Sequence, residues 1–277
     1  MDPYHYNDDG FRVGDNQWAQ ERLLLILMDE MNLARTEYYF SDFLSRLELR
    51  RTISNPDNPD KRSEAEIELD AGPSEYRFRL WVPENILFVG TMNEDETTQA
   101  LSDKVLDRSN VMRFGMPDEK SLPTDDNVKL DDSSDFMPYE VWRSWQQPMI
   151  NDSNVTEQVN AWLSQINLAL NNVGRPFGYR LQKAIHKYVA NYPLVEEGER
   201  YKIAFADQIE YKIMPRLRGL DMNDNAADQC LEGIGNIVSE LDDRQLYSSF
   251  QNASQQSRQM GLFQWQGITR PVGGDDE

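Results

Sequence analysis

The stretch Arg22–Asn32 reads RLLLILMDEMN, an apolar run that ends on two adjacent carboxylates, Asp29 and Glu30. An uninterrupted apolar run of this length is typical of a strand that is buried on both faces of a parallel sheet. Open α/β sheets bind their ligands outside the carboxyl ends of the strands. The stretch therefore predicts a buried strand that carries two carboxylates to a ligand-binding edge. A buried strand that simply reaches solvent through two acids is the alternative interpretation.

The composition argues against a broad electrostatic interaction with nucleic acid. The 277 residues carry 28 Lys and Arg against 48 Asp and Glu, for a formal net charge of −20. Like charges repel, so direct binding of nucleic acid or of an anionic membrane by this chain is not expected. The single cysteine, Cys230, cannot form an internal disulfide, which favours the reducing cytoplasm. Its helical spacing with Leu231, Ile234 and Val238 predicts a small core residue.

Several site classes are not expected from the residues present. His5 and His186 are the only histidines, and neither has a Cys or His partner at metal-ligand spacing. This argues against a zinc site and against a histidine-based triad. No apolar segment has the length needed to span a bilayer, and the acidic N-terminus lacks the basic flank of a signal peptide. We expect a soluble, cytoplasmic protein.

The first half of the chain alternates between predicted strands and helices. We expect a second buried strand at Ile86–Asn93 and a short third strand at Val111–Phe114. Two alternating segments, Ala65–Leu69 and Tyr76–Trp81, predict a β-hairpin. The remaining predictions are a polar loop over 1–20, a helix over 33–49, an irregular segment over 50–61 that contains Pro56 and Pro59, and a helix over 94–107.

The second half is predicted to be helical. Residues 118–137 are acidic and aperiodic, and they read as a solvated linker. Helical periodicity follows over 155–170, 181–189, 201–214, 226–241 and 244–260, with Gly174 and Pro193 ending the first two runs. The predicted domains are an α/β core over 1–117, a linker with a short helix over 118–150, and helices over 151–277.

Three separated segments, Leu23–Asn32, Ile86–Asn93 and Ser102–Arg108, resemble the back half of an AAA+ module in order and spacing. The resemblance is to the McrB-like and dynein-related branch, where the Walker B strand is similar to Met28–Arg35 and sensor 1 to Gly90–Asn93. Pro176–Arg180 resembles the start of a sensor 2 helix. The resemblance implies an α/β fold: an incomplete three-layer AAA+ core with Walker B and sensor 1 strands and a β-hairpin insertion, followed by an all-α lid.

The resemblance also implies roles for individual residues. Asp29 would contribute to binding Mg²⁺ and the nucleotide, Glu30 would activate the hydrolytic water, and Asn93 would hold that water against the γ-phosphate. Arg108 would be the arginine finger that acts on a neighbouring subunit, and Arg180 would contact phosphate from the lid. The implied cofactors are Mg²⁺ and ATP or GTP.

Each assignment has a structural alternative. Asn93 could cap the following helix, and Arg108 could pair with Asp103 or Asp107. Arg180 could be a solvated residue at a helix start. Arg113 is the second candidate for the finger.

The sequence contains no Gly-x-x-x-x-Gly-Lys-Ser/Thr, the loop that binds the β- and γ-phosphates. We therefore expect the chain alone not to hold a nucleotide tightly. The core strands would also lack a central neighbour, because AAA+ sheets place the P-loop strand beside the sensor 1 strand. A missing N-terminal half could carry that strand, another polypeptide could supply it, or the remaining strands could pair differently.

Two functional classes remain open. The first is an AAA+ nucleoside-triphosphatase subunit or fragment, resembling the GTPase subunit of McrBC-type restriction systems, that couples hydrolysis to remodelling of a partner. Such subunits form homo- or hetero-oligomeric rings, and the family implies a nuclease or another effector as partner. The second is a non-catalytic regulatory or interaction module derived from an AAA+ protein. Whether this chain alone is an enzyme is left open.

Overall fold

The structure is a computed structural model with a mixed α/β fold. It describes residues 5–6, 12–13, 21–33, 36–56, 58–70, 77–93, 103–112, 136–193 and 198–268. The chain divides into two compact units, one comprising Met1–Arg108 with Asp132–Gln146 and the other Ser109–Asp131 with Gln147–Glu277. No described helix combines the length and the apolar character required to cross a membrane.

The first unit contains three pairs of strands and several helices. Its strands are β1 (His5–Tyr6), β2 (Arg12–Val13), β3 (Leu24–Met28), β4 (Ile67–Asp70), β5 (Arg77–Leu80) and β6 (Ile86–Gly90). Its helices are α1 (Thr36–Arg50), α2 (Pro59–Arg62), α3 (Asp103–Arg108) and α4 (Tyr139–Ser144), with a 3₁₀ turn at Ser63–Ala65. β1 pairs with β2 in the segment that was predicted to be a loop.

Strands β3 and β6 form a parallel pair, as expected for the two strands that carry the candidate site. Their register aligns Leu24 with Ile86 and Met28 with Gly90, so the two strands end side by side. Helix α1 packs on one face of this sheet, where the Phe43 ring meets the Phe88 ring edge-on at a centroid distance of 4.8 Å. Parallel pairing therefore places the residues that follow both strands at one edge.

The prediction that β3 is buried on both faces is wrong. Leu25, Leu27 and Val89 point to the face opposite Phe88, and they are 59%, 63% and 44% exposed. Among the described residues, β3 and β6 pair only with each other, and α1 covers only the Phe88 face. The open face therefore consists of apolar side chains that a second layer would normally cover. Periodicity alone could not reveal which layers are present.

Arg50, at the end of α1, joins this helix to the start of β6. Its Nη1 donates to the carbonyl oxygens of Pro83 at 2.8 Å and Val82 at 3.3 Å. Burial, followed by the nearby charge of Arg51, lowers the pKa of Arg50. The guanidinium thus links the end of α1 to backbone carbonyl groups at the beginning of β6.

The irregular segment predicted over 50–61 contains a short helix instead. Helix α2 begins at Pro59, and the side chain of Asn58 accepts hydrogen bonds from the amides of Asp60 and Lys61. Proline is tolerated at the first helical position because its missing N–H would be unpaired there anyway. The prediction that Pro59 prevents regular structure is therefore wrong, since Pro59 is the first residue of a helix.

The other predictions for the first unit had mixed outcomes. The β-hairpin is confirmed, since β4 and β5 are antiparallel with Ile67 opposite Leu80, but its turn lies outside the described residues. The helix predicted over 94–107 is described only from Asp103, and it ends at Arg108. No strand includes Val111 or Met112, while Arg113 and Phe114 lie outside the described residues, as does most of the predicted linker.

The second unit is helical where it is described. Its helices are α5 (Ser153–Asn172), α6 (Tyr179–Ala190), α7 (Arg200–Gln208), α8 (Met214–Leu217), α9 (Asn225–Glu240) and α10 (Arg244–Met260). Asp152 caps α5 by accepting from the amides of Asn154 and Val155, and Gly174 after its end has a φ of 71°. These termini agree with the predicted periodicity.

The core of the second unit is apolar and includes the only cysteine. Trp162, Phe205 and Ile234 lie in this core together with Cys230. Burial raises the pKa of the Cys230 thiol to about 11, which confirms the prediction of a core residue over that of a nucleophile.

The helix predicted over 201–214 is interrupted by a π-helical segment, Ile209–Ile213, which separates α7 from α8. Glu210 and Lys212 are buried there, and the Lys212 ammonium donates to the carbonyl oxygen of Ser109. An extra residue in one turn shifts the phase of the apolar pattern by about 100°, and the run over 201–214 is too short to reveal that shift.

Candidate functional site at the ends of β3 and β6

The candidate site lies where β3 and β6 end. Asp29 and Glu30 directly follow β3, while Asn93 lies three residues beyond the end of β6. All three side chains are exposed to solvent. The parallel register therefore brings the predicted acid pair and the predicted asparagine to the same edge, although their chemical roles stay predictions.

Glu30 has a left-handed backbone with a φ of 50°. Residues other than glycine rarely adopt this conformation, which costs roughly 1–2 kcal/mol for an L-residue. Strained residues of this kind persist where the surrounding structure holds them, and they cluster at functional sites. The strain marks Glu30 as a position that its neighbours fix.

Hydrogen bonds connect the two strand ends. The backbone amide of Thr91 donates to the carbonyl oxygen of Met28 at 2.9 Å, and the amide of Met31 donates to the carbonyl oxygen of Thr91 at 3.0 Å. The Thr91 hydroxyl donates to Asp29 Oδ1 and accepts from the Glu30 amide at 2.9 Å. The Asn32 side chain donates from Nδ2 to the carbonyl oxygen of Asn93 at 2.6 Å.

Gly90, the last residue of β6, allows this close approach. A Cβ atom at this position would overlap Sδ of Met31, which packs against the strand end. Any larger residue would displace the Met31 side chain from the end of β6. The glycine in the GTMN segment thus has a packing role beside the site.

The strand ends carry carboxylate oxygens, the kind of ligand that Mg²⁺ takes in proteins. One oxygen of Asp29 is engaged by Thr91, while the Oδ2 oxygen makes no hydrogen bond within the described residues. Those residues contain no group of three or more His, Cys, Asp or Glu side chains that could hold a metal ion. Mg²⁺ commonly takes one or two carboxylates and completes its shell with water and substrate phosphates. Asp29 could serve as the protein ligand in such a shell.

Arg108, the predicted arginine finger, ends helix α3 in the first unit. Its Nε lies 3.1 Å from Glu48 Oε2, and its side chain is largely buried. Neither Asp103 nor Asp107, the two partners considered from the sequence, is this carboxylate. Glu48 is thus one partner of the Arg108 guanidinium within the first unit.

Arg180, the predicted lid contact, lies in the second unit. It is an exposed residue in the first turn of α6, whose preceding residue Gly178 provides no side-chain cap. A helix N-terminus with open amides favours anions. Phosphate contact by Arg180 stays a prediction.

Two residues of the site, Thr91 and Asn32, were not anticipated. The available signal was the presence of short hydrogen-bonding side chains within four residues of both strand ends, in DEMN and GTMN. Which of them would reach across depends on the strand register, and a single sequence does not reveal it.

One family model, described as Domain of unknown function (DUF8727), matches residues 130–260. The chain is similar to this family over that range. The match covers less than half of the 277 residues and leaves β3 and β6 outside it. No curated protein and no solved structure matches the chain.

Proposed function

We propose that this chain supplies the Walker B strand, the sensor 1 strand and the lid of an AAA+ nucleoside triphosphatase of the McrB-like branch. The module would hydrolyse ATP or GTP in a ring of AAA+ subunits and act on a partner, such as the nuclease of a restriction system. The observation that carries the proposal is the juxtaposition of Asp29 and Glu30 with Asn93 at the ends of two parallel strands. That edge is where α/β sheets bind ligands.

Each side chain at this edge has a chemical task in the proposal. The Oδ2 oxygen of Asp29 would hold Mg²⁺, which neutralises charge on the phosphates when bound. The Glu30 carboxylate would accept a hydrogen bond from the attacking water and draw its proton. The side-chain amide of Asn93 would orient that water and the γ-phosphate. Phosphoryl transfer depends mainly on such positioning and charge stabilisation.

The proposal requires a phosphate-binding loop from another polypeptide segment, because the sequence contains no Gly-x-x-x-x-Gly-Lys-Ser/Thr. The open face of β3 and β6 supports this requirement. Leu25, Leu27 and Val89 offer apolar surface there, and an α/β segment could cover it with a helix while adding a strand. The same open face favours the second candidate, a regulatory module that binds AAA+ partners without catalysis.

Calorimetry and phosphate release distinguish the two candidates. Mg·ATP and Mg·GTP are titrated into the chain alone and into its mixture with a cognate AAA+ chain that carries a P-loop. The first candidate predicts that the mixture hydrolyses nucleotide and that Glu30→Gln lowers turnover by about 100-fold or more while sparing binding. Glu157→Gln, at an exposed glutamate of α5, is the matched control. Unchanged turnover in Glu30→Gln would remove the proposed role of Glu30.

A further inference from the structure

The end of β3 departs from a regular parallel ladder by one residue. With Thr91 donating to Met28, the next amide to reach the Thr91 carbonyl would ordinarily be that of Glu30. Here the amide of Met31 makes that bond, at 3.0 Å. One extra residue is thus looped out at the strand end, which agrees with the left-handed φ of Glu30.

The Thr91 hydroxyl provides the hydrogen-bond acceptor that the Glu30 amide loses when this residue is looped out. It accepts from the Glu30 amide at 2.9 Å, so that this N–H keeps a partner outside the ladder. It also donates to Oδ1 of Asp29, which leaves Oδ2 as the carboxylate oxygen that makes no hydrogen bond within the described residues. A single hydroxyl therefore contacts both predicted site acids, Glu30 through its backbone amide and Asp29 through its side chain.

Asn32 makes the reciprocal connection from the β3 side. Its side chain is only 4% exposed, and its Nδ2 donates to the carbonyl oxygen of Asn93 at 2.6 Å. A carbonyl oxygen can only accept, so the orientation of the Asn32 amide group is determined. The Oδ1 oxygen is buried without a hydrogen-bond partner. A buried acceptor left unpaired is costly. The Asn32 side chain therefore makes its bond to Asn93 through Nδ2 while its Oδ1 oxygen stays unpaired.

We infer that Thr91 and Asn32 are positioning residues that fix Asp29, Glu30 and Asn93 relative to one another. The inference rests on the proposed function for what the positioned groups act on, whereas the positioning itself is independent of any nucleotide. The Thr91 hydroxyl, after β6, accepts from the amide of the strained Glu30. The Asn32 side chain, after β3, donates to the carbonyl oxygen of Asn93. Neither residue touches the reacting atoms in this arrangement.

Amide hydrogen exchange on the ¹⁵N-labelled full chain tests the role of Thr91. Thr91→Val removes the hydroxyl at nearly constant volume, and it should accelerate exchange of the Glu30 amide by about tenfold or more. The Met31 amide bonds to the Thr91 backbone and should keep its protection, which makes it an internal control. Thr91→Ser should restore protection of Glu30. Thr156→Val removes a hydroxyl bond to a helix carbonyl in the second unit, and it should leave Glu30 unchanged.

Unchanged exchange of the Glu30 amide in Thr91→Val would overturn the inference. If the Met31 amide also loses protection in that variant, Thr91→Ser decides: restored protection of Glu30 supports the inference, and continued loss contradicts it. Asn32→Asp places an oxygen opposite the Asn93 carbonyl, so it should shift the Asn93 resonances. Unchanged Asn93 resonances in Asn32→Asp would contradict the inference that Asn32 positions Asn93.

A second readout separates this inference from the proposed function. Mn²⁺ with ATP is added to the same samples after they are mixed with a cognate AAA+ chain that carries a P-loop, and its paramagnetic broadening is followed at Asp29. If the wild-type chain shows broadening there, Thr91→Val should weaken it several-fold and Thr91→Ser should restore it. Broadening equal to wild type in Thr91→Val would contradict the positioning of Asp29. If wild type shows none, the proposed function fails, and the exchange data alone decide the inference.

Discussion

Arg108 and Glu48 form an ion pair between helices α3 and α1, with Nε 3.1 Å from Oε2. In this pair, Glu48 binds the Arg108 side chain, which the AAA+ resemblance assigns to the phosphate of a neighbouring subunit. As an arginine finger, Arg108 would pair with Glu48 in the isolated subunit and would contact a phosphate when subunits assemble. This arrangement makes the two roles of Arg108 separable by experiment.

Arg108→Ala should spare nucleotide binding by a subunit that has been completed with a P-loop, and it should lower turnover of assembled rings by about 10³-fold or more. The free energy of unfolding should fall by about 1 kcal/mol or less, since Glu48 is partly exposed. Phosphate release and urea unfolding measure the two effects. Glu48→Gln breaks the same ion pair but keeps the arginine, so it should retain turnover. Equal loss of turnover in Glu48→Gln would assign the effect to the ion pair.

Glu30→Gly should stabilise the protein while abolishing turnover. Glycine adopts a φ of 50° without the Cβ penalty, although it loses more backbone entropy on folding, so the net gain should be about 1 kcal/mol or less. Glu30→Gln keeps the Cβ atom and should unfold at the wild-type urea concentration. A glycine variant less stable than the glutamine variant would show that the backbone at Glu30 is not strained.

The two faces of the β3–β6 sheet should respond differently to substitution. Phe88→Ala removes a ring that packs against Phe43 and should cost about 3 kcal/mol in the free energy of unfolding. Leu27→Thr, on the open face, should change it by about 0.5 kcal/mol or less and should reduce self-association. Urea unfolding and light scattering provide the measurements. A cost at Leu27 equal to that at Phe88 would mean that the face is covered.

His186 should make the stability of the second unit depend on pH. Burial lowers the pKa of His186, whose Nε2 lies 2.9 Å from Asn160 Oδ1. The unfolded chain, with a histidine pKa of about 6.5, then binds a proton more readily than the folded chain. Stability should therefore fall as the pH drops through about 6.5 and level off below the folded pKa. His186→Gln, compared with wild type at each pH, should lack this component. If the free energy of unfolding of wild type rose relative to that of His186→Gln as the pH falls, the prediction would be contradicted.

The helices of the second unit were largely predictable from sequence because apolar periodicity and helix-end residues agree locally. The periodic run over 155–170, with Gly174 after it, corresponds to α5, and the run over 226–241 corresponds to α9. The π-helical segment at Ile209–Ile213 was not predicted, since the run over 201–214 is too short to reveal the phase shift that an extra residue produces. Local signals thus fixed the helices but not their irregularities.

In the first unit, the pairing of β3 with β6 followed from two apolar runs, but burial did not. The exposure of Leu25 and Leu27 depends on whether a second layer covers the sheet, which no feature of Arg22–Asn32 reports. The site shows the same division. Asp29 and Glu30 were evident from their place after an apolar run, whereas the contributions of Thr91 and Asn32 depend on a register between residues about sixty positions apart.

The most direct test of the central claim asks whether both strand ends contact one phosphate-bound metal. Mn²⁺ with ATP or GTP is titrated into the ¹⁵N-labelled chain mixed with a cognate AAA+ chain that carries a P-loop, and broadening is compared at the amides of Asp29, Glu30 and Asn93. The proposed function predicts that all three broaden at the same concentrations and that Asp29→Asn weakens the effect at all three. Broadening at Asp29 and Glu30 without Asn93, or broadening that Asp29→Asn leaves unchanged, would contradict a shared phosphate site.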